Sequence, residues 1–483
     1  MKTRILLAVA IAFTSLSQAQ VKYEEGERFK FDRVNEKDVK IVLKDNYNHY
    51  LFSAINIDGM MRQYEISFRK FDQKNHLVET FVKDYGKKDA ATSKADQSFL
   101  HNYLGSFEIS NGKMVVITEN YSGRAKIKEI FKHVFDKATG KFETSLIASY
   151  PIESLGKSGV TRVAKSENNN FIAIDFVKDG SKKEPEINAL TILDATTLNV
   201  VWQKEEALKP DFITQTLTVT NTGKAVLVRA IRGSKKINYL TVVSADKVED
   251  KMFEEDLEIK LNNPRAISIG TQEYLIAFNA PAKGYNGTDI QYLMIYDLDG
   301  GKMLQNNKIA DFNCVKGLAD AQIKNIIIQN NEIVIFEQSK AELEIKPVLG
   351  APTRWDKDYI FSNGYVFVLG MDGVLKTMKT INALDNRVAE INHIYGVLNI
   401  KGKLYVNMTN QDQKATNGIY ALNENFTVDA SKNYNFHTYN TDEHRTPSVN
   451  QLVEYFADSN KLLTTKLDFD NQMYFVSISG LIN

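Results

Sequence analysis

Apolar residues in this chain come in short, unbroken runs, and the runs return in a fixed order. The clearest unit spans Gly270 to Ile309. The turn Gly270-Thr271-Gln272 opens into Tyr274-Leu275-Ile276-Ala277-Phe278, and a loop rich in Gly and Asn follows. Tyr292-Leu293-Met294-Ile295-Tyr296 then meets the turn Asp297-Leu298-Asp299-Gly300-Gly301, and Lys302-Met303-Leu304 leads away. Runs of this length, rich in β-branched and aromatic side chains and bounded by turn residues, predict strands. With Arg265-Ala266-Ile267-Ser268-Ile269 before them they predict an antiparallel meander. Helical 3.6-residue stripes are scarce.

Comparable runs begin at Tyr50, Met114, Phe171, Ala225, Tyr274, Ile333, Leu404 and Leu462, with spacings of 49 to 71 residues. Polar turns precede them, among them Asn111-Gly112-Lys113, Asn168-Asn169-Asn170 and Lys401-Gly402-Lys403. Gly and Asn supply the positive φ angles that tight hairpins need. A second landmark comes later in most copies: an aromatic residue or Leu, then an Asp-containing turn. It reads Phe71-Asp72, Phe135-Asp136, Leu193-Asp194, Tyr296-Asp297 and Gly370-Met371-Asp372, with weaker forms at Ser244-Ala245-Asp246 and Leu422-Asn423.

Two landmarks in fixed order, repeated eight times, are what stacked four-stranded units produce. The pattern resembles β-propeller repeat proteins in general, over nearly the whole chain. That resemblance implies an all-β propeller of four-stranded blades, eight in number with seven as the alternative. The last copy stops at Tyr474-Phe475-Val476-Ser477-Ile478 with five residues to follow, so its fourth strand is missing. The alternating segment Arg28-Phe29-Lys30-Phe31-Asp32 is spare and predicts closure of the ring by an N-terminal strand, with Tyr23 to Gly26 a polar lead. The motifs are generic. The Trp-Asp ending, the sialidase Asp box and the kelch glycines are missing, and two tryptophans cannot serve every blade of a quinoprotein dehydrogenase. An architecture carries over, and no functional residue does.

Residues 1–19 read as a signal peptide: Lys2 and Arg4, the apolar core Ile5 to Phe13, then Ser17-Gln18-Ala19 before Gln20. The expectation is export to the periplasm, the outer-membrane surface or the exterior, with 20–483 a single propeller domain. Removing Lys2 and Arg4 leaves 58 basic against 60 acidic residues. Such a balance argues against a nucleic-acid protein. No later apolar segment is long enough to cross a membrane as a helix. The lone Cys314 excludes an intramolecular disulfide, and it reads as a structural thiol. Three inserts break the rhythm, near 87–103, 338–357 and 434–456. Each is a candidate for the functional rim.

Candidate chemistry is sparse. No Gly-x-Ser-x-Gly elbow, phosphate-binding Gly-Lys-Ser/Thr loop or His-Glu-x-x-His pattern occurs. His437 and His444 flank Asp442 and Glu443, but the spacing matches no standard metal site, so no metal and no cofactor are expected. Asp297-Leu298-Asp299-Gly300 reads as a hairpin turn rather than a calcium loop, since the later ligands are missing. The loops after three consecutive apolar runs are basic: Arg124, Lys126 and Lys128; Lys178, Lys182 and Lys183; Arg229, Arg232, Lys235 and Lys236. Side by side they would form a positive arc for an acidic partner. Arg354 and Trp355 in one insert, and Tyr434, Phe436, His437 and Tyr439 in another, are of the type that anchors binding surfaces. The sequence therefore leans away from an enzyme. It points to an exported cell-envelope protein presenting a loop face to a protein or glycan. The alternative is a hydrolase or lyase acting on polysaccharide at the mouth of the central channel.

Overall fold

The computed structural model describes residues 22–32, 35–56, 64–83, 100–109, 112–122, 125–154, 157, 159–178, 185–207, 212–232, 237–252, 259–281, 291–309, 320–344, 357–381, 394–410, 416–438, 452–467 and 472–479. The N-terminal strands are β1 (Lys22–Glu25) and β2 (Phe29–Lys30). Blade 1 follows as β3 (Glu36–Val42), β4 (Asn48–Asn56), β5 (Tyr64–Asp72) and β6 (Leu77–Lys83). Blade 2 is β7 (Leu100–Ile109), β8 (Lys113–Ser122), β9 (Ile127–Asp136) and β10 (Lys141–Pro151). Blade 3 is β11 (Val160–Lys165), β12 (Phe171–Lys178), β13 (Ile187–Asp194) and β14 (Val200–Ala207). Blade 4 is β15 (Phe212–Val219), β16 (Ala225–Ile231), β17 (Ile237–Val243) and β18 (Val248–Met252). Blade 5 is β19 (Ile259–Ile269), β20 (Gln272–Pro281), β21 (Gln291–Asp297) and β22 (Lys302–Ile309). Blade 6 is β23 (Asp320–Gln329), β24 (Glu332–Glu344), β25 (Lys357–Gly370) and β26 (Leu375–Ile381). Blade 7 is β27 (Ile394–Ile400), β28 (Lys403–Asn410), β29 (Thr416–Leu422) and β30 (Val428–Thr438). Blade 8 is β31 (Val453–Phe456), β32 (Lys461–Leu467) and β33 (Gln472–Ser479). Among the described residues no helix is long and apolar enough to cross a membrane.

Each blade is an antiparallel meander in sequence order, and the eight blades form a ring. First strands of consecutive blades approach one another from β7 round to β27, so the first strands line the central channel. All eight apolar runs marked in the sequence are second strands. They are unbroken because both faces of a second strand are buried. In β20, Tyr274, Ile276 and Phe278 pack toward blade 6, while Leu275 and Ala277 pack toward blade 4. In β16, Val226 and Val228 face blade 5, and Ala225 and Leu227 face blade 3. Side chains alternate across a strand, so a two-sided strand must be apolar at every position. The described core accordingly divides into eight clusters, one at each blade–blade interface.

The Asp-containing turns join third to fourth strands. Asp297 Oδ1 accepts the backbone N–H of Asp299 (3.1 Å) and Gly300 (2.8 Å). Asp136 Oδ1 accepts from Ala138 (2.8 Å), and Asp194 Oδ1 from Thr196 (3.0 Å) and Thr197 (2.7 Å). Asn423 Oδ1 serves the same role in blade 7. The carboxylates are turn acceptors. Gly301, at φ +67°, completes the turn in blade 5 by donating to Asp297 O (2.9 Å).

Closure follows the expected route with one addition. β2 pairs with β33 through Phe29↔Met473, and β1 pairs along the same edge from Lys22↔Ser479 to Glu25↔Val476. The segment read as a polar lead is therefore the first half of the closing strand. All four side chains of β1 are exposed, which is why its composition gave no strand signal. The closing interface is aromatic: Phe29, Phe71 and Phe475 meet with centroids 4.7–6.0 Å apart. His49 is buried among them, stacked on Phe71 and edge-on to Phe475 and Phe456.

Burial, reinforced by the charge of Lys461 and opposed by Asp72 and Asp45, lowers the His49 imidazole to a pKa of about 3. The unfolded chain takes up this proton near the ordinary value of 6.5, while the native state resists it until about 3. Stability held above pH 6.5 is thus lost as pH falls through this window, at about 1.4 kcal/mol per unit. Replacement His49→Phe removes the proton site, so its unfolding free energy should exceed wild type by a margin that widens from pH 7 to pH 4. Denaturant unfolding at four pH values measures this; parallel curves would show that His49 does not govern the closure.

Candidate functional site

First strands are only half-buried, because one edge borders the channel. On these strands in blades 1 to 4, described polar side chains bridge neighbouring blades. Between blades 1 and 2, Lys40 Nζ pairs with Asp38 (2.8 Å) and donates to Ser106 Oγ (3.0 Å) and Ser106 O (3.2 Å). Ser106 Oγ donates to Asp38 Oδ2 (2.8 Å), and Tyr103 Oη donates to the same oxygen. A bulge in β3 between Lys37 and Lys40 puts Asp38 at φ +48° and turns its carboxylate to β7. Burial, then the Asp38 charge, pushes the Tyr103 phenol well above its usual range.

Between blades 2 and 3, Glu119 at the far end of β8 accepts from Asn102 Nδ2 (3.0 Å) and Thr161 Oγ1 and pairs with Lys128 (3.1 Å). Lys128 is buried, with its ammonium 5.3 Å from the Phe176 ring centroid. Between blades 3 and 4, Asp175 is fully buried. Asn188 Nδ2 donates to both its oxygens (3.0 and 3.1 Å), and Arg162 Nη1 stands at 3.8 Å. Arg162 Nη2 donates to Thr214 O (2.8 Å), and Thr214 N donates to Glu186 Oε2 (2.7 Å). Arg229 lies buried in the same interface, its Nη2 donating to Phe212 O (3.3 Å) and its Nε and Nη1 without a partner.

Lys165, the last residue of β11, differs from these groups. Its ammonium sits 5.7 Å from the Phe107 ring centroid and makes no hydrogen bond or ion pair with a described residue. Burial, then the like charge of Lys40, lowers its pKa, with Glu108 and Glu167 opposing. Charge on this half-withdrawn amine is costly, and Glu108 and Glu167 offset part of the cost.

Most residues singled out in the sequence are not brought to this wall. Arg124, Lys235, Lys236, Arg354, Trp355 and Tyr439 lie outside the described residues, as do Cys314, His444 and most of the three inserts. Tyr434, Phe436 and His437 lie in β30, the outer strand of blade 7, and not in a loop; Asn417 is the register partner of His437. Lys126 is exposed in the turn before β9, and Arg232 is half-buried in the turn after β16. The basic arc is correspondingly thinner than the sequence suggests. Lys128 and Arg229 are consumed inside blade interfaces, because the second and third strands run further than the apolar runs that mark them.

The wall residues escaped the sequence reading because they are ordinary polar residues on weakly patterned first strands. One signal was available. Several second strands end their apolar run on a buried polar residue: Ser53, Thr118, Asp175, Arg229, Glu337, Asn407 and Thr464. A polar residue extending an otherwise apolar strand marks the level at which the interfaces change from apolar to hydrogen-bonded.

No family model matches the chain, and no curated protein matches it. Among solved structures it is similar to the Dos1 propeller, at 10% identity and a TM-score of 0.46, over 94% of this chain and 95% of that one. It is also similar to the β-propeller domain of the Trilobed protease from Pyrococcus furiosus, which has an open velcro topology, at 13% identity and a TM-score of 0.39, over 84% and 98%. The α-L-arabinanase of Penicillium chrysogenum matches at 9% identity and a TM-score of 0.35, over 73% and 99%.

Asp175 provides a test of the wall's electrostatics. Burial raises its pKa from 3.8 to about 7, against the opposing pull of Asn188 and Arg162. The native state therefore holds this proton where the unfolded chain releases it. The resulting stability is complete below pH 3.8 and is lost as pH rises to about 7, at about 1.4 kcal/mol per unit. Asp175→Asn keeps a neutral group beside Asn188. Its stability relative to wild type should rise by about 2–4 kcal/mol between pH 4 and pH 8 in denaturant titrations; an unchanged difference would refute the assignment.

Proposed function

We propose that the chain is an exported, non-catalytic binding protein of the cell envelope, which holds a protein or glycan partner at the channel end of its ring. The observation that carries this reading is the wall of blades 1 to 3. There Asp38, Lys40, Tyr103, Ser106 and Lys165 gather on half-exposed first strands, whereas the second-strand surfaces are apolar and consumed by packing. Export rests on the leader-like residues 1–19. Arg354, Trp355 and Tyr439 complete the surface as rim anchors, and Arg124, Lys126, Arg232, Lys235 and Lys236 supply positive charge for an acidic partner.

A hydrolase reading has one specific observation in its favour: Ser106 Oγ lies 3.0 Å from Lys40 Nζ and 2.8 Å from Asp38. The geometry works against a nucleophile. The Ser106 proton is directed at Asp38, its oxygen accepts from Lys40, and the residue is buried. A substrate carbonyl would have to displace this network to reach the oxygen.

Capture from native envelope tests the reading. Val160 is an exposed residue of β11, the first strand of blade 3, and Val160→Trp places bulk at the wall without touching the core. This variant, and separately the pair Trp355→Ala with Tyr439→Ala, should lower partner capture by about tenfold or more, the scale of losing one well-placed anchor. Capture equal to wild type by folded Val160→Trp would remove the wall from the binding surface. A fluorophosphonate probe should leave Ser106 unlabelled; stoichiometric labelling would overturn the non-catalytic reading.

A further inference from the structure

We propose that Arg229 is an exchangeable counter-ion for Asp175: it rests on Phe212 while Asp175 is protonated, and crosses the interface of blades 3 and 4 to pair with Asp175 when that carboxyl ionises. Sheet register brings the two face to face. In blade 3, Arg162 and Asp175 are register partners; in blade 4, Thr214 and Tyr239 are the partners of Arg229 on either side. Directly opposed residues point to the same side of a sheet. Asn188 Nδ2 bridges the two rows, 3.0 Å from Asp175 Oδ1 and 3.2 Å from Thr214 Oγ1. The row of Arg162 and Asp175 therefore faces the row of Thr214 and Arg229. Asp175, Thr214 and Arg229 are all buried.

The two guanidinium groups of this interface are held differently. Arg162 is fixed by a short bond from Nη2 to Thr214 O (2.8 Å), and its Nη1 stops 3.8 Å from Asp175, beyond hydrogen-bond reach. Arg229 has a long bond from Nη2 to Phe212 O (3.3 Å) and the Phe212 ring centroid at 5.9 Å. Its Nε and Nη1 have no partner among the described residues. An ionised Asp175 thus lacks a close cation, and Arg229 is the cation with donors to spare. Burial raises Asp175 to about 7, so the carboxyl changes charge near neutrality. A guanidinium keeps its charge there, even with burial lowering the Arg229 value. The other charged groups on these faces are engaged. Glu186 accepts from Thr214 N (2.7 Å), Asp250 accepts from Thr241 Oγ1 (2.9 Å), and Lys204 pairs with Glu206 (3.1 Å). Tyr239 stacks on Phe212, with ring centroids 4.4 Å apart. Departure of Arg229 releases the carbonyl of Phe212, the first residue of the channel-lining strand β15. Loss of the Asp175 proton therefore loosens the wall at blade 4.

Crystal structures of the chain at about pH 5 and about pH 9, two units either side of the Asp175 value of about 7, test this. Arg229 should donate to Phe212 O at the lower pH and to Asp175 at the higher one. Arg229 on Phe212 at both, or Arg162 closing on Asp175 in its place, would overturn the proposal. Hydrogen–deuterium exchange reads the consequence in solution. Asp175→Asn cannot ionise and serves as the reference at each pH. Relative to it, wild type should exchange equally over Phe212–Val219 at the lower pH. At the higher pH it should exchange about tenfold faster, the scale of one lost hydrogen bond to a charged donor. The same comparison made in an Arg229→Met background should show no rise, since no guanidinium is left to withdraw. Thermal unfolding checks that this background is folded; if it is not, the two wild-type structures decide. A rise that persists in folded Arg229→Met, or equal exchange of wild type and Asp175→Asn at both pH values, would also overturn the proposal.

Discussion

The structure depends on apolar contact between blades. A four-stranded meander has two faces, and in a ring both are covered by neighbours. Each second strand therefore sends alternate side chains into two different interfaces, as β24 does with Ile333 and Ile335 on one side and Val334 and Phe336 on the other. Burying one such side chain contributes roughly 1.5–3 kcal/mol. Every blade needs two partners to collect this, so the ring must close. Its closing interface combines the two ends of the chain, with Phe29 and Phe31 from one and Met473 and Phe475 from the other.

Closing a ring with an exposed N-terminal strand has a consequence. β1 contributes almost no burial, and its hold on β33 is backbone hydrogen bonding. Apolar anchoring falls to Phe29, which meets Phe71 of blade 1 and Phe475 of blade 8 together. Asn75 adds a polar tie across the same joint, its Nδ2 donating to Ser477 Oγ (2.7 Å). His49 sits in this aromatic group as a neutral ring, which places an acid-sensitive histidine at the seam of the ring.

The polar belt of blades 1 to 4 answers a different demand. First strands border water on one edge and cannot be apolar throughout. Their hydrogen-bonding groups are satisfied across blade boundaries, by Lys40 with Ser106, Thr161 with Glu119, and Arg162 with the carbonyl of Thr214. These bridges fix neighbouring blades in register where apolar packing gives out. Ser106 belongs to this belt as a bridge between blades 1 and 2.

Strand order, blade number and the closing segment were legible in the chain itself. Two-sided burial forces unbroken runs such as Met114-Val115-Val116-Ile117, and the turn chemistry at Asp136, Asp194 and Asp297 is local. The strand identity of Lys22–Glu25 was not legible, because an edge strand exposed on both faces carries no hydrophobic pattern. Nor was the fate of Lys128 and Arg229, which look like solvated loop cations and are buried. The wall itself was invisible, since Asp38 and Tyr103 are separated by sixty-five residues and meet only when blades 1 and 2 dock. Sequence determines what each strand does to its own neighbours through period and turn. Which polar side chains share a wall is set by how whole blades lie against one another, and that information exists only in the tertiary structure.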